Sequence, residues 1–417
     1  MITTMKRLVG TLLFIVLFYN TSISQSVQGF VKTDNPDAIG FDTERLKKID
    51  NLLSGYVNDG IMPNALSLVI KDGKIIHFSA YGYSDVEKKI AVKKDDIFRK
   101  ASQTKAITST VLMTLFEENW FMLDEPIEKY LPMFAHPRVY VSGSAKEGNL
   151  VTRPANRSIT IRHLLTHTSG YGYDAFGENI RGVNYIEPTT SKEVMERLAR
   201  VPLMHDPGER FTYGFSTDIA GYLAEVLTGK SLGTLMKERV FDPLGMKDTY
   251  FHLPKEKHSR LVKCYMRTSD STRYVLNSDP FEQTFPFATD QPYNGGGGGL
   301  CGTIEDYAKF CQMILNGGEF NNRRILGRRT VELMCTDQLA GIPQNHPFSL
   351  GFEVTDFNRF KRSMVSEGSV KWGGAYGTDY IIDRKENMIV LLYTNIVPWV
   401  NPNVQDRFHI AVYQSLK

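Results

Sequence analysis

Apolar and polar positions near the N-terminus predict a helix followed by a β-hairpin. Apolar side chains recur at helical spacing over residues 46–56, and Asp42 before them is a typical helix cap. Residues 65–71 and 74–81 are strand-like, and Asp72-Gly73 between them is the two-residue turn that suits twisted antiparallel strands. A helix and two paired strands are therefore expected at this end of the chain.

The C-terminal end has a similar pattern. Residues 370–376, 378–382 and 388–394 are strand-like, and the polar segment at residues 383–387 predicts the turn between the last two. Helical spacing then predicts a closing helix over about residues 407–416. Strands are thus expected at both ends of the chain.

Helical periodicity dominates the middle, with predicted helices at residues 107–116, 219–227 and 232–241. The simplest architecture joins the two ends in one antiparallel β-sheet and packs a mostly helical insertion beside it. The fold class is therefore predicted as α+β, an antiparallel sheet flanked by helices.

The same pattern predicts where the two parts of the molecule begin and end. The part that contains the sheet is expected to span about residues 25–100 and 290–417, and the helical part about residues 101–289. A chain of 417 residues is long enough to bury a large core in this arrangement.

The first residues have the character of a secretory signal peptide. Lys6 and Arg7 precede the apolar run Leu8–Tyr19, and Ser22-Ile23-Ser24 offers small residues where a signal peptidase cuts. The apolar run is too short for a spanning helix, which disfavours an uncleaved anchor. We therefore expect residues 1–24 to be removed and the mature protein to be periplasmic or extracellular, without stable membrane insertion.

The charge balance argues against one class of partner. The formal net charge is +3, and loss of Lys6 and Arg7 with the leader leaves the mature chain nearly neutral. Because no basic run is present either, nucleic acid is not expected to bind.

Four cysteines, Cys264, Cys301, Cys311 and Cys335, lie in the part expected to be exported. Disulfides form in that environment, and four cysteines allow three full pairings, which remain open. No cysteine has metal-ligand spacing with a histidine, so no metal or other cofactor is expected.

Ser102 and Lys105 are the first candidates for chemistry. A short extended stretch runs into a helix whose first turn holds both residues, and their i, i+3 spacing puts the side chains on one face. The helix beyond is apolar, so a desolvated lysine with a lowered pKa is expected to accept the serine proton. The helix N-terminus also offers N–H groups to an oxyanion. The spacing alone is a weak signal, because a serine that caps a helix and a solvated lysine three residues later have the same spacing.

Two later segments add to this signal. Tyr213 is expected on a loop at the start of the 219–227 helix, and a tyrosine beside a protonated lysine has a lowered pKa and can act as base or acid. In the strand at residues 370–376, Gly373 and Gly374 let the backbone approach a ligand closely.

Taken in order, these segments resemble the serine β-lactamase and penicillin-binding protein superfamily, most closely its class C β-lactamase-like branch and the family VIII esterases. The motifs that carry the resemblance are Ser102-Gln103-Thr104-Lys105, Tyr213, Trp372-Gly373-Gly374, and the auxiliary stretches Leu164–Gly170, Asp242–Met246 and Gly295–Leu300. The resemblance implies one serine hydrolase domain over residues 25–417. It also implies Ser102 as nucleophile, Lys105 and Tyr213 as proton carriers, and the N–H groups of Ser102 and Ala375 as oxyanion donors.

Two positions depart from the β-lactamase pattern. Phe215 stands where that branch has Asn, and Trp372 stands where it has the lysine that holds a substrate carboxylate. An indole cannot hold a carboxylate as a lysine does, and Lys371 is expected to point to the opposite face of the strand. With Gly373 and Gly374 lining the site, the departures favour a small neutral carboxylic ester as substrate.

Two alternatives stay open. The first keeps the mechanism but acts on amides, as a β-lactamase, D-aminopeptidase or DD-peptidase. The second is a non-catalytic binding or regulatory homologue, although a retained Ser102, Lys105 and Tyr213 set disfavours it. The sequence leaves open the oligomeric state and which of Lys105 and Tyr213 is the base.

Three other patterns have structural interpretations. Gly229-Lys230-Ser231-Leu232-Gly233 fits Gly-x-Ser-x-Gly, but it links two helices where a nucleophile elbow needs a strand, so Ser231 is expected to cap a helix. His163 and His167 are expected to be buried, hydrogen-bonded histidines rather than metal ligands. Gly295–Gly299 is expected to form a tight turn along the cleft, with a flexible surface loop as the alternative.

Overall fold

The computed structural model describes residues 29–144, 147–173, 190–268, 273–287, 293–342, 346–357, 364–399 and 402–417. The predicted signal peptide lies outside these residues. Among the described residues, no helix has the length and apolar character needed to cross a bilayer.

The strands form one large sheet and several small ones. In chain order they are β1 Val31–Lys32, β2 Asn64–Lys71, β3 Lys74–Asp85, β4 Ile90–Ala91, β5 Phe98–Arg99, β6 Arg138–Ser142, β7 Val151–Pro154, β8 Thr249–Tyr250, β9 Tyr265–Arg267, β10 Tyr274–Leu276, β11 Cys301–Gly302, β12 Glu319–Phe320, β13 Arg323–Arg324, β14 Glu353–Val354, β15 Val370–Gly374, β16 Thr378–Asp383, β17 Met388–Tyr393 and β18 Ile396–Val397.

The helices connect these strands and cover the large sheet. They are α1 Thr43–Asn58, α2 Thr104–Glu117, α3 Ile161–Leu165, α4 Ser191–Ala199, α5 Ser216–Thr228, α6 Leu232–Met236, α7 Asp242–Leu244, α8 Pro280–Thr284, α9 Ile304–Leu315, α10 Arg328–Met334 and α11 Pro402–Tyr413. Short 3₁₀ turns lie at Pro36–Ile39, Ala101–Gln103, Ile127–Lys129, Pro132–Phe134 and Lys255–Arg260, and a π-helical turn lies at Lys237–Phe241.

The large sheet joins the two ends of the chain, as the sequence predicts. Its order is β1-β3-β2-β17-β16-β15-β14, with β4 paired to β3. Strands β2 and β17 pair antiparallel in the middle, with Leu68 opposite Leu391. The short edge strand β1 pairs with β3 in parallel orientation. The α+β prediction is therefore confirmed.

The central strands of the large sheet have apolar side chains on both faces. Leu68 and Leu391 belong to the core between the sheet and the helical part. Val69 and Val390, which point to the other face, belong to a second core under α1 and α11. Both faces of the middle strands are buried, which accounts for their nearly continuous apolar sequence.

Several local predictions hold at the level of single residues. The side chain of Asp42 accepts a hydrogen bond from the N–H of Arg45 and caps α1. Asp72 and Gly73 both have positive φ, 50° and 72°, as the predicted two-residue turn requires. Gly229 ends α5 in the left-handed conformation with φ 71°.

Other boundaries differ from the prediction. The predicted helix at 232–241 is α-helical only to Met236 and continues as a π-helical turn, since Pro243 has no N–H to extend the α-helical pattern. Strand β15 ends at Gly374 because the chain turns before Gly377, and α11 starts earlier, at Pro402. The middle of the chain also contains the hairpin of β6 and β7.

Candidate active site

The backbone around Ser102 makes a sharp change of direction. Strand β5 ends at Arg99, and Ser102 lies in the 3₁₀ turn just before α2, whereas the sequence predicted it in the first turn of the helix itself. Ala101 has φ 43°, the left-handed region that a residue with a Cβ rarely adopts. Ser102 remains partly exposed, whereas Gln103 and Lys105 are buried. The turn therefore presents the hydroxyl of Ser102 at the edge of a buried polar cluster.

The amine of Lys105 contacts three oxygens. Its Nζ lies 3.2 Å from Ser102 Oγ, 3.0 Å from Tyr173 Oη and 2.6 Å from the backbone oxygen of Gly297. The i, i+3 spacing thus brings Ser102 and Lys105 together, as the sequence predicts. The carbonyl of Gly297 can only accept a hydrogen bond, so it fixes the direction of one N–H of the amine.

The glycine-rich segment wraps around Lys105 as a tight turn rather than a surface loop. The N–H of Gly297 donates to Asp218 Oδ1 at 3.0 Å, and Thr108 Oγ1 donates to the backbone oxygen of Gly296 at 2.8 Å. A Cβ on residue 297 would lie 2.3 Å from Asp218 Oδ2, so only glycine fits there. Burial raises the pKa of Asp218, while the nearby Lys105 and the hydrogen bond from Tyr293 act in the opposite direction.

Tyr213 lies beside Lys105, but its hydroxyl has another partner. The centre of its ring is 4.7 Å from Lys105 Nζ, and its Oη accepts a hydrogen bond from Trp372 Nε1 at 3.3 Å. The rings of His167 and Tyr213 are 4.9 Å apart. Burial and the charge of Lys105 lower the pKa of His167 well below its ordinary value, so this wall of the site is an uncharged imidazole.

The end of β15 packs against the turn that carries Ser102. A Cβ on Gly374 would lie 2.3 Å from the backbone oxygen of Lys100. The strand can therefore come this close to the turn only because residue 374 is glycine. A Cβ on Gly373 would meet the backbone oxygen of Thr378 at 3.0 Å. Ala375 follows as the exposed first residue of the next turn.

Lys371 has a different environment from Trp372. Its Nζ lies 3.0 Å from Glu353 Oε1 on the neighbouring strand β14. Glu353 also contacts His346, with Nε2 and Oε2 3.2 Å apart. Lys371 is thus held by a carboxylate of the protein, in agreement with its expected orientation away from the site.

Aromatic rings lie around Lys105 and Tyr213. The ring of Phe215 meets that of Tyr173 edge-on, with centroids 4.6 Å apart. The indole of Trp372 packs edge-on against Phe348 at 5.5 Å and lies 5.1 Å from the ring of Tyr213. The two departures from the β-lactamase pattern therefore both pack against aromatic rings.

Sequence reasoning did not identify Tyr173 or Asp218. Tyr173 follows the Leu164–Gly170 stretch and contacts both Lys105 and the ring of Tyr213, at 5.4 Å between centroids. Asp218 lies five residues after Tyr213, where an acidic residue in the first turn of a helix is usually a capping feature. Proximity to the Leu164–Gly170 stretch was the available signal for Tyr173, and Asp218 had none.

The structural interpretations of the remaining motifs agree in part with the geometry. Ser231 caps α6 through the N–H of Thr234. His163 Nδ1 accepts from the N–H of Thr160, and His167 Nε2 lies 3.3 Å from Thr217 Oγ1. His167 is buried as predicted, whereas His163 is only half-buried.

The four cysteines are unpaired and buried. Burial raises the pKa of the Cys264, Cys301 and Cys335 thiols to about 12. None of the three disulfide pairings left open by the sequence is formed.

A second serine has the residue types of a Ser-His-Asp triad around it. Ser67 Oγ lies 2.8 Å from His77 Nε2, and His77 Nδ1 lies 3.9 Å from Asp50 Oδ1. Ser67 is fully buried in the middle of β2, so no substrate reaches it. Burial lowers the pKa of His77 to about 4. This cluster is a structural contact between sheet and helix.

Comparison with known proteins agrees with the geometry. The Beta-lactamase family model matches residues 49–415. Over 350 residues the chain is 30% identical to Protein Rv1367c of Mycobacterium tuberculosis, covering 80% of this chain and 85% of the relative. Over 389 residues it is 27% identical to Esterase EstB of Burkholderia gladioli, covering 87% and 93%.

A solved structure has the same fold. EstCE1, described as a hydrolase with promiscuous acyltransferase activity, superposes with a TM-score of 0.75 at 22% identity, covering 89% of this chain and 99% of that one. With a family model that spans most of its length, the chain belongs to the beta-lactamase family of the serine β-lactamase and penicillin-binding protein superfamily.

Proposed function

We propose that this protein hydrolyses neutral carboxylic esters through an acyl-enzyme on Ser102. The observation that carries the proposal is the hydrogen bond from Trp372 Nε1 to Tyr213 Oη, beside the contact between Lys105 and Ser102. The indole occupies the motif position where β-lactamases have a carboxylate-binding lysine, yet it still donates a hydrogen bond to the tyrosine oxygen. The site thereby keeps a donor for Tyr213 and loses the charge that would hold an anionic substrate.

The contacts of Lys105 support its part in activating Ser102. A neutral amine has two N–H bonds and one lone pair. When the N–H bonds point to the Gly297 and Tyr173 oxygens, the lone pair is left for the Ser102 hydroxyl, 3.2 Å away. Ser102 then attacks the ester carbonyl as its proton passes to the amine.

Tyr213 completes the proton route in this proposal. It protonates the departing alcohol and later takes a proton from the water that attacks the acyl group. Lys105 returns its proton to Ser102 Oγ as the acid leaves. While Tyr213 lacks its proton, the N–H at Trp372 Nε1 stabilises the negative charge on Tyr213 Oη. The N–H groups of Ser102 and Ala375 hold the oxyanion of the two tetrahedral intermediates.

The aromatic wall supports esters over the amide alternatives. Phe215, at the position of the asparagine of β-lactamases, has no amide to hydrogen-bond the acylamino group of a peptide or β-lactam. Esterase activity is also the property named for EstB, a relative that covers most of this chain. A non-catalytic role has no need of the Lys105–Ser102 contact.

The proposal is tested by assaying purified mature protein in parallel on p-nitrophenyl butyrate, nitrocefin and D-alanyl-p-nitroanilide. We expect ester turnover to exceed the other two. Preference for nitrocefin or the anilide would replace the ester proposal with the amide alternative, and no turnover of any of the three would favour a non-catalytic homologue.

The nucleophile is tested separately with a fluorophosphonate probe and intact-protein mass. Ser102→Ala is expected to abolish labelling, and Ser231→Ala, an exposed helix cap, serves as the matched control that still labels. Labelling that survives in the first variant and disappears in the second would assign the nucleophile to Ser231.

We further propose that the protein acts outside the cytoplasm, because its first 24 residues have the pattern of a signal peptide. N-terminal sequencing of the protein from a native-like host is expected to begin at Gln25. A protein that retains Met1 and stays in the cytoplasm would contradict export.

A further inference from the structure

A cavity of about 580 Å³ lies on the side of the glycine-rich segment away from Ser102. Its wall includes Ser231 and Gly233 at the start of α6, Phe251 after β8, and Asn294 just before the glycines. None of these residues belongs to the site described above. Cavities of 300–1,000 Å³ are the size that proteins use for small ligands.

The cavity shares its wall with the segment that holds Lys105. A Cβ on Gly299 would lie 2.6 Å from the ring of Phe251, so this ring rests directly on the segment. On the other side of the same segment, the backbone oxygen of Gly297 accepts from Lys105 Nζ at 2.6 Å. The residues from Asn294 to Gly299 therefore separate the cavity from the amine by the thickness of one chain.

The polar groups of the cavity indicate what kind of molecule it accepts. Phe241, Met246 and Phe251 are buried and supply an apolar floor. Asn294 Oδ1 is buried and, among the described residues, has no hydrogen-bond partner. Because an Asn amide can turn end for end, it can offer a ligand either its oxygen or its N–H groups.

The rim of the cavity has one cation in excess. Lys237 is paired with Asp242 at 2.5 Å. Lys247 also lines the cavity, and no carboxylate of the described residues pairs with its Nζ. A ligand with an apolar body and a single negative charge matches this combination of floor, amide and rim.

We propose that this cavity is an accessory site for a small amphipathic carboxylate and that occupancy there alters catalysis through the glycine-rich segment. A ligand that presses on Phe251 and Asn294 displaces the segment on which the Gly297 oxygen lies. The N–H direction of Lys105, and with it the contact to Ser102, changes in consequence. Binding itself is independent of the proposed ester hydrolysis, so the two proposals fail in different experiments.

Binding is tested by titrating the full mature protein with sodium octanoate in a calorimeter, with 1-octanol as the uncharged comparison. Thr234→Trp places a large ring in the cavity from an exposed position, and Glu238→Trp adds the same ring on the neighbouring turn, outside the cavity. We expect saturable octanoate binding that Thr234→Trp weakens at least tenfold and Glu238→Trp leaves unchanged. Absence of saturable binding, or equal binding by the two variants, would overturn the site.

Charge selectivity is tested with Lys247→Met. Loss of one exposed cation is expected to weaken octanoate binding roughly three- to fivefold at low salt and to leave octanol binding unchanged. An equal effect on both ligands would rule out the carboxylate as the recognised group.

Coupling to the catalytic site is tested through turnover of p-nitrophenyl acetate. Octanoate at saturation is expected to change kcat in the wild type and in Glu238→Trp but not in Thr234→Trp. Competition at Ser102 alone would raise KM equally in all three proteins and leave kcat unchanged, and that result would overturn the coupling.

Discussion

Replacing Trp372 with phenylalanine separates two roles of the indole. The phenyl ring keeps the apolar wall against Phe348 and Tyr213, whose ring centres lie 5.5 and 5.1 Å from that of Trp372. The variant removes the Nε1–H, which donates to Tyr213 Oη, and makes the ring system smaller. A change in kinetics therefore contains both the lost hydrogen bond and the smaller ring, and a double-mutant cycle separates the two.

The expected magnitude follows from the geometry. At 3.3 Å the bond is long, so its loss in the resting enzyme costs about 0.5–1.5 kcal/mol at most. When Tyr213 carries negative charge in the transition state the bond is charge-assisted and is worth about 1.5–3 kcal/mol. The difference between the two costs, about 1–1.5 kcal/mol, acts on kcat, so we expect kcat to fall roughly 5- to 15-fold on p-nitrophenyl butyrate, with KM changed less than about twofold.

A double-mutant cycle with Tyr213→Phe checks the cause. Without the tyrosine oxygen the indole has nothing to donate to, so Trp372→Phe in that background is expected to cost little more. Additive losses would show that the two side chains act independently. A kcat within twofold of wild type in the single variant would refute the reasoning, because the charge on Tyr213 would not depend on the indole.

Further predictions concern the proton route, specificity and pH. In steady-state ester assays, Lys105→Ala and Tyr213→Phe are each expected to lower kcat by a factor of ~10²–10⁴. Tyr173→Phe is expected to lower kcat only about tenfold, and a larger loss would make Tyr173 the proton carrier. Trp372→Lys is expected to raise the cephalosporin-to-ester ratio of kcat/KM by about one to two powers of ten, and an unchanged ratio would remove Trp372 from the acyl pocket. The folded-state pKa of His77 is lowered to about 4 by burial, so its neutral form is favoured by folding and stability is lost as pH falls from about 6.5 towards 4. Between pH 6.5 and 5 the free energy of unfolding should therefore fall by about 1.5 kcal/mol more in the wild type than in His77→Gln, measured by urea titration, and parallel pH profiles would contradict the buried neutral imidazole.

The sequence by itself determined the parts of this protein that depend on neighbours along the chain. The apolar runs of β2 and β17 predicted two strands, and the presence of strands at both ends of the chain predicted a shared sheet. The positive φ angles at Asp72 and Gly73 follow from that dipeptide, and the Ser102–Lys105 contact follows from helical spacing. The site's identity came from motifs whose order along the chain is itself informative.

Only the tertiary structure decided which groups meet around Lys105. Tyr173 and Gly297 lie 68 and 192 positions away along the chain, and no periodicity relates them to the helix that carries the amine. Tyr213 and Trp372 are likewise 159 positions apart, and their hydrogen bond requires β15 to pack against the Ser102 turn, a contact that glycine at position 374 allows. Such contacts depend on how the sheet and the helical part pack together, and local sequence preferences contain no record of that packing.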